Sequence, residues 1–180
     1  MGAIERNPPN RDILQSTKFK LNFTRLPGAT FFCQTANLPG ISLTEVMRNT
    51  PFIDLYVPGE KAIYDTLNIT MLIDEDLNDW LAIHDWIRAM TFPTEFEEYA
   101  RLDRMFRDSP NRRGVKLPPQ YADATLSVYT NKNNANFRVQ YKDCFPTTLG
   151  GITFSALDSA ENIITADVSF RFSYYNIERV

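Results

Sequence analysis

The chain has 180 residues, 43% of them hydrophobic, and a formal net charge of −3. That length buries a sizeable core within one domain, and that apolar content excludes a disordered chain. The acidic balance excludes nucleic-acid binding driven by bulk positive charge, and no stretch approaches the ~18 consecutive apolar residues of a membrane span.

Residues 1–16 are polar, with Pro8 and Pro9 adjacent, and read as an N-terminal arm ahead of a domain over 17–180. MGAIERNPPNRD has no apolar run of the secretory type, and its sixth residue is not the Ser or Thr of a myristoylation pattern. Cys33 and Cys144 are the only cysteines; lying in FFCQ and DCFP, they read as interior free thiols rather than a disulfide. TKFKLNFTR (17–25) alternates, with Phe19, Leu21 and Phe23 on one side, which predicts a half-buried strand. LPGA (26–29) is a turn, TFFCQTANL (30–38) a second strand, and ISLTEVMR (41–48) a third, closed by Thr50-Pro51. FIDLYV (52–57) and AIYDTLNITMLI (62–73) flank VPGEK. Pro58-Gly59 suits the centre of a type II turn, so Pro58, Gly59, Glu60 and Lys61 read as a hairpin tip. Along 62–73, Leu67, Ile69, Met71 and Ile73 share one face.

DEDLNDWLAIHDWIRAM (74–90) predicts a helix, with Leu77, Trp80, Leu81, His84 and Ile87 as its apolar stripe. Its early acids complement the helix dipole, and Asp74 or Asp76 serves as N-cap. Residues 91–120 read as a helical and loop insertion. Within it RLDRMFRDSPNRRGVK (101–116) holds six basic and two acidic residues, net +4, leaving −7 for the rest of the chain. Arg101, Arg104, Arg107, Arg112, Arg113 and Lys116 are either a solvated loop or a docking patch for an acidic neighbour; base-stacking aromatics are not interleaved in 107–116. The last third predicts strands at 124–130, 137–145, within 145–157, and at 163–177, where Val168, Phe170, Phe172 and Tyr174 alternate. Strands, one or two helices, then strands again imply an antiparallel β-sandwich or barrel with a flanking helix.

Motifs for catalysis fail in turn. His84, the single histidine, continues an apolar stripe, and Asp85 beside it is expected to point elsewhere. One His and two distant Cys give no zinc spacing. DEDLND lacks the glycine of a calcium loop. Gly150-Gly151 lacks the lysine of a phosphate loop, and no G-x-S-x-G elbow occurs. Twenty-two acids form carboxylate pairs by chance. The expectation is no enzyme, no cofactor and no metal, and a strand-rich domain whose long hairpin is completed by copies of itself.

FFCQTANLPG, a long hairpin before a strand that ends in acids, DLNDWLAIHDWI, and YKDCFPTTLGGITFSALDSAENIITADVSFRFSYY together resemble the tail tube family of contractile-tailed bacteriophages, over roughly 17–90 and 121–177. The resemblance implies a β-sandwich with a flanking helix. Six copies would form a ring, and rings would stack into the inner tube of a virion tail that conducts the genome. It implies a hairpin over about 41–73 in the lumen wall and between rings, with Asp54, Glu60 and Asp65 as lumen or ring-edge acids. It implies as partners the sheath, baseplate and tail-terminator proteins, with a tape-measure protein and genomic DNA in the lumen. It implies no membrane anchor, and assembly in the host cytoplasm. Baseplate initiators and tail terminator or completion proteins share the fold. The reading from another class is a monomeric β-sandwich binding module.

Overall fold

A computed structural model describes residues 13–26, 28–91, 97, 100, 120–155, 157 and 163–180. Strand β1 (Phe19–Phe23) keeps the alternation of its sequence: Leu21 and Phe23 are buried, Lys20 and Asn22 exposed. The strand expected over 30–38 is shorter. Phe31 N (2.9 Å) and Phe32 N (3.3 Å) both donate to Gly28 O and wind Ala29–Phe32 into one helical turn, α1, so β2 is only Cys33–Ala36. Strands β3 (Ile41–Asn49) and β4 (Asp54–Tyr64) follow, then β5 (Leu67–Leu72). The single strand expected over 62–73 is broken at Asp65–Thr66. There the Asn37 amide takes over the ladder, donating to Thr66 O (3.1 Å) and accepting from Asn68 N (2.7 Å). Beyond the break Leu67, Ile69 and Met71 are buried on one face, as the alternation requires.

Helix α2 (Asn78–Thr91) starts later than expected. Leu77, at φ 56, stands just before it, and its N donates to Asp74 O (3.1 Å). Asp74 therefore closes the preceding turn, and its carboxylate accepts from Asn78 Nδ2 (2.9 Å), instead of capping the helix. The stripe is also rotated from the expected one. Ile83, Trp86 and Ala89 are buried, whereas Leu81 is 44% exposed and His84 half-buried. Trp86 donates to Gln120 O and Trp80 to Gly150 O, both at 3.1 Å, which pins the helix at two heights. The Arg25 guanidinium lies 4.4 Å from the Trp86 ring centre, and burial lowers its pKa to about 9. The second helix expected after residue 91 lies almost wholly outside the described residues.

The last third supplies β6 (Ala122–Tyr129), β7 (Ala135–Leu149), β8 (Thr165–Arg171) and β9 (Tyr174–Arg179). All pairings are antiparallel. The main sheet runs β1-β6-β7-β8-β5-β2, with β9 also on β7. β9 pairs with residues 137–142 of β7, and β8 with residues 145–149. The strand expected over 163–177 is thus one run with a bend at Phe172–Ser173, opposite Asp143, whose φ is 56. Ser173 N donates to Lys142 O (2.9 Å) across the bend, and the Asp123 carboxylate holds the corner by accepting from Lys142 Nζ and from Asp143 N. This shared bend folds the sheet into two layers. Phe23 of one layer meets Phe170 of the other at 4.7 Å between ring centres, and Trp86 reaches Phe170 at 6.2 Å. Within 145–157, where a strand was expected, β7 extends through Pro146 to Leu149, and residues 151–155 hold none. The chain is mostly antiparallel β with two helices, as its sequence pattern predicts.

Candidate assembly interface

β3 and β4 form a two-stranded sheet of their own. Ile41 pairs with Tyr64 at the root and Asn49 with Asp54 at the far end. At ~3.3 Å per residue the arm reaches roughly 30 Å. Residues 50–53 make the tip: Thr50 N donates to Ile53 O (3.3 Å), and Ile53 N donates to the Thr50 hydroxyl (3.2 Å). Pro58, Gly59, Glu60 and Lys61 are therefore not the tip. They lie inside β4, where one β3 residue, Thr44, faces the three residues 59–61 between the Leu43–Ala62 and Glu45–Pro58 pairs. A bulge of this kind tolerates proline, which has no N–H for the ladder, and glycine, which lets two backbones approach. The Thr44 hydroxyl donates to Lys61 O (3.3 Å) and accepts from Lys61 N (3.4 Å). A Cβ on Gly59 would lie 2.6 Å from Thr44 O. Close approach, not a left-handed turn, is what this glycine provides.

The root is anchored. The Tyr64 ring packs on Phe172 (5.7 Å) and Tyr175 (5.2 Å), and Arg171 donates to Tyr64 O (3.2 Å). The rest is bare. Leu43 is 59% exposed, Val46 56%, Tyr56 64% and Phe52 95%, and no described strand pairs with either edge of the arm. A lone two-stranded hairpin is at best marginally stable in water, and a contiguous apolar surface of this extent marks an interaction site. The sequence carried this signal in the apolar residues at both parities of β4, Leu55, Tyr56 and Val57, although the alternation rule assigns only one face to a core.

The three expected acids are not brought together. Asp54 is at the far end, Glu60 in the bulge, and Asp65 beyond the root, where its N donates to Gly40 O (3.0 Å). The basic residues Arg101, Arg104, Arg107, Arg112, Arg113 and Lys116 lie outside the described residues, as does DSAEN (158–162). His84 stacks on Trp80 at 5.4 Å, and its Nδ1 is 3.2 Å from Asp85 Oδ1, so the adjacent acid does reach it. Both groups sit on the exposed side of α2. Cys33 is half-buried and Cys144 buried, and both are free thiols; burial raises their pKa to about 11 and about 12. A groove of about 470 Å³ runs over the outer face of β2, β5 and β8, lined by Thr35, Asn37, Asn68, Thr70, Asp167 and Ser169. Among the described residues no three His, Cys, Asp or Glu side chains are grouped to hold a metal.

A family model described as phage tail tube protein matches residues 11–178. The chain belongs to the phage tail tube protein family. The match runs through 91–120 as well as most of the described fold, so that insertion falls within the family's span. No curated protein matches the chain in sequence. Among solved structures, a chain of the anti-feeding prophage tube-terminating cap superposes with a TM-score of 0.61 at 14% identity, covering 100% of both chains. A chain of the extended PVC sheath–tube complex, an extracellular contractile injection system, gives 0.61 at 12% identity over 94% of each. One from the sheath/tube terminator of that system gives 0.55 at 12% identity, over 95% of this chain and 99% of the other. At such identities the likeness is one of fold, and that fold is the two-layered antiparallel one described above. Membership makes the chain a structural component of a phage-type tail.

Proposed function

We propose that the protein is the repeating subunit of a tail tube: six copies close into a ring, rings stack, and the lumen conducts the genome without reading its sequence. The observation that carries this is the β3–β4 arm, anchored at its root, apolar over most of its length and pairing with no other described strand. Copies of the chain supply what the arm lacks, and a closed ring leaves no free sheet edge. Sheath, baseplate and terminator proteins are then the neighbours outside and at the two ends of the tube. The work is mechanical, so no residue is assigned a catalytic role.

Negative-stain electron microscopy across a concentration series tests this. Hollow tubes of stacked six-fold rings are expected. Rings that never stack would reassign the chain to an initiator or terminator, and a protein that stays monomeric at every concentration would favour the binding-module reading.

A further inference from the structure

The two faces of the β3–β4 arm carry opposite charge. Directly paired residues share a face. Glu45, opposite Pro58, and Asp54, opposite Asn49, thus lie on one face, and Arg48, opposite Leu55, lies on the other. The bulge adds two residues to β4 and so preserves the alternation, which puts Glu60 with Asp54 and Lys61 with Leu55. One face holds three acids and no base; its reverse holds two bases and no acid. All five side chains are exposed, and among the described residues none makes an ion pair.

The spacing matches as well. Counted along β3, Glu45 and Asp54 stand at the rungs of residues 45 and 49, Lys61 and Arg48 at the rungs of 44 and 48, and the third acid, Glu60, lies in the bulge opposite Thr44. Each pair is four rungs apart, about 13 Å at ~3.3 Å per residue. Slid along by one rung, the acidic face of one arm brings Glu45 to the rung of Lys61 and Asp54 to the rung of Arg48 on the basic face of another, each acid one strand to the side of its base. Apolar residues are present on both sides of that contact, Met47 and Tyr56 among the acids and Val46 and Val57 among the bases.

We propose that the acidic face of each arm lies on the basic face of the arm of a second copy. This rests on the ring reading and names the surface that would join its subunits. Because each arm uses different faces toward its two neighbours, the contact is head-to-tail and propagates from copy to copy. The apolar residues supply the contact area, while the charges set register and exclude the acid-on-acid and base-on-base arrangements.

The test uses two double variants of the full chain, Glu45→Lys/Asp54→Lys and Arg48→Glu/Lys61→Glu, with circular dichroism to check that each is folded. Alone, each presents net charge of the same sign on both faces, and its assembly threshold is expected to rise by about tenfold or more. Mixed in equal amounts, the two complement each other in alternation, and the threshold is expected to return toward that of the wild type. Either variant assembling alone at the wild-type threshold overturns the proposal, as does a mixture that stays dissociated. A milder variant, Glu45→Gln/Asp54→Asn, is expected to lose the salt dependence of assembly, and wild-type salt dependence in it also overturns the proposal. A wild-type protein that forms no assembly overturns the ring reading itself.

Discussion

Replacing Gly59 by alanine isolates the bulge of the arm from everything else. The added Cβ would overlap the Thr44 hydroxyl oxygen and stand 2.6 Å from Thr44 O and 3.0 Å from Thr44 C. The hydroxyl can rotate away. The carbonyl cannot, because Glu45 and Leu43 on either side are held in register with Pro58 and Ala62. Forcing one methyl into a tight contact costs ~1–3 kcal/mol. Charged to the native arm alone, that leaves between about one in five and one in 150 arms in the assembly-ready shape, and raises the assembly threshold by the same factor. The core does not share the cost, because the arm pairs with no strand of the main sheet, so the melting temperature is expected to change little. Analytical ultracentrifugation gives the threshold, and hydrogen exchange at the Lys61 amide, which donates to the Thr44 hydroxyl, reports the bulge directly. An unchanged threshold together with unchanged exchange at Lys61 would refute the reasoning.

Three further outcomes are expected. The Tyr141 hydroxyl is buried with no hydrogen-bond partner, so Tyr141→Phe should be neutral or stabilise the fold by about 1 kcal/mol in denaturant unfolding. Burial, and then the nearby Asp74 charge, raise the pKa of Asp79. Folding therefore disfavours its ionised form, and stability declines as pH rises from the unfolded Asp value of ~3.9 through the raised folded value. Asp79→Asn should melt higher at neutral pH and show a smaller decline across that window, as read by thermal unfolding at several pH values. With both thiol pKa values raised, to about 11 for half-buried Cys33 and about 12 for buried Cys144, a thiol reagent near neutral pH should label Cys33 slowly and Cys144 only on unfolding. Equal, rapid labelling of both in the native protein would contradict the packing at Cys144.

What could be read from the sequence followed from period-two burial. Leu21 and Phe23, Leu67 to Met71, and Val168 to Phe172 are buried where alternation puts them. The misplaced features share a cause: one local signal with two structural uses. Pro58-Gly59 serves a turn or a bulge, and only the pairing of β3 with β4, set by contacts far apart in sequence, decides between them. The bend at Phe172–Ser173 was hidden because apolar residues continue through it to Tyr174. In α2 apolar residues occupy more than one side, so the stripe through Leu77 and Leu81 fits the helical period as well as the one through Ile83 and Trp86 that the core selects. Phe31 and Phe32 are strand-prone, yet the Gly28 carbonyl draws their amides into a helical turn. A long hairpin was legible over 41–73, but its tip lies at 50–53 rather than 58–61 and it ends at Tyr64; the separation of its charges by face was not legible, since it depends on a register that the bulge determines.

The bend shared by β7 and the β8–β9 run has a mechanical meaning. Two neighbouring strands cross from one layer to the other side by side, cross-bonded at Ser173 and Lys142. A pull or twist applied to one layer therefore passes to the other along covalent backbone, with no need for layer-to-layer side-chain contacts to bear it. For the layers to shear apart, peptide chain would have to stretch, which is far harder than sliding one greasy surface over another. In a tail component, thrust received on one side of the subunit would leave on the other with little loss to internal yielding.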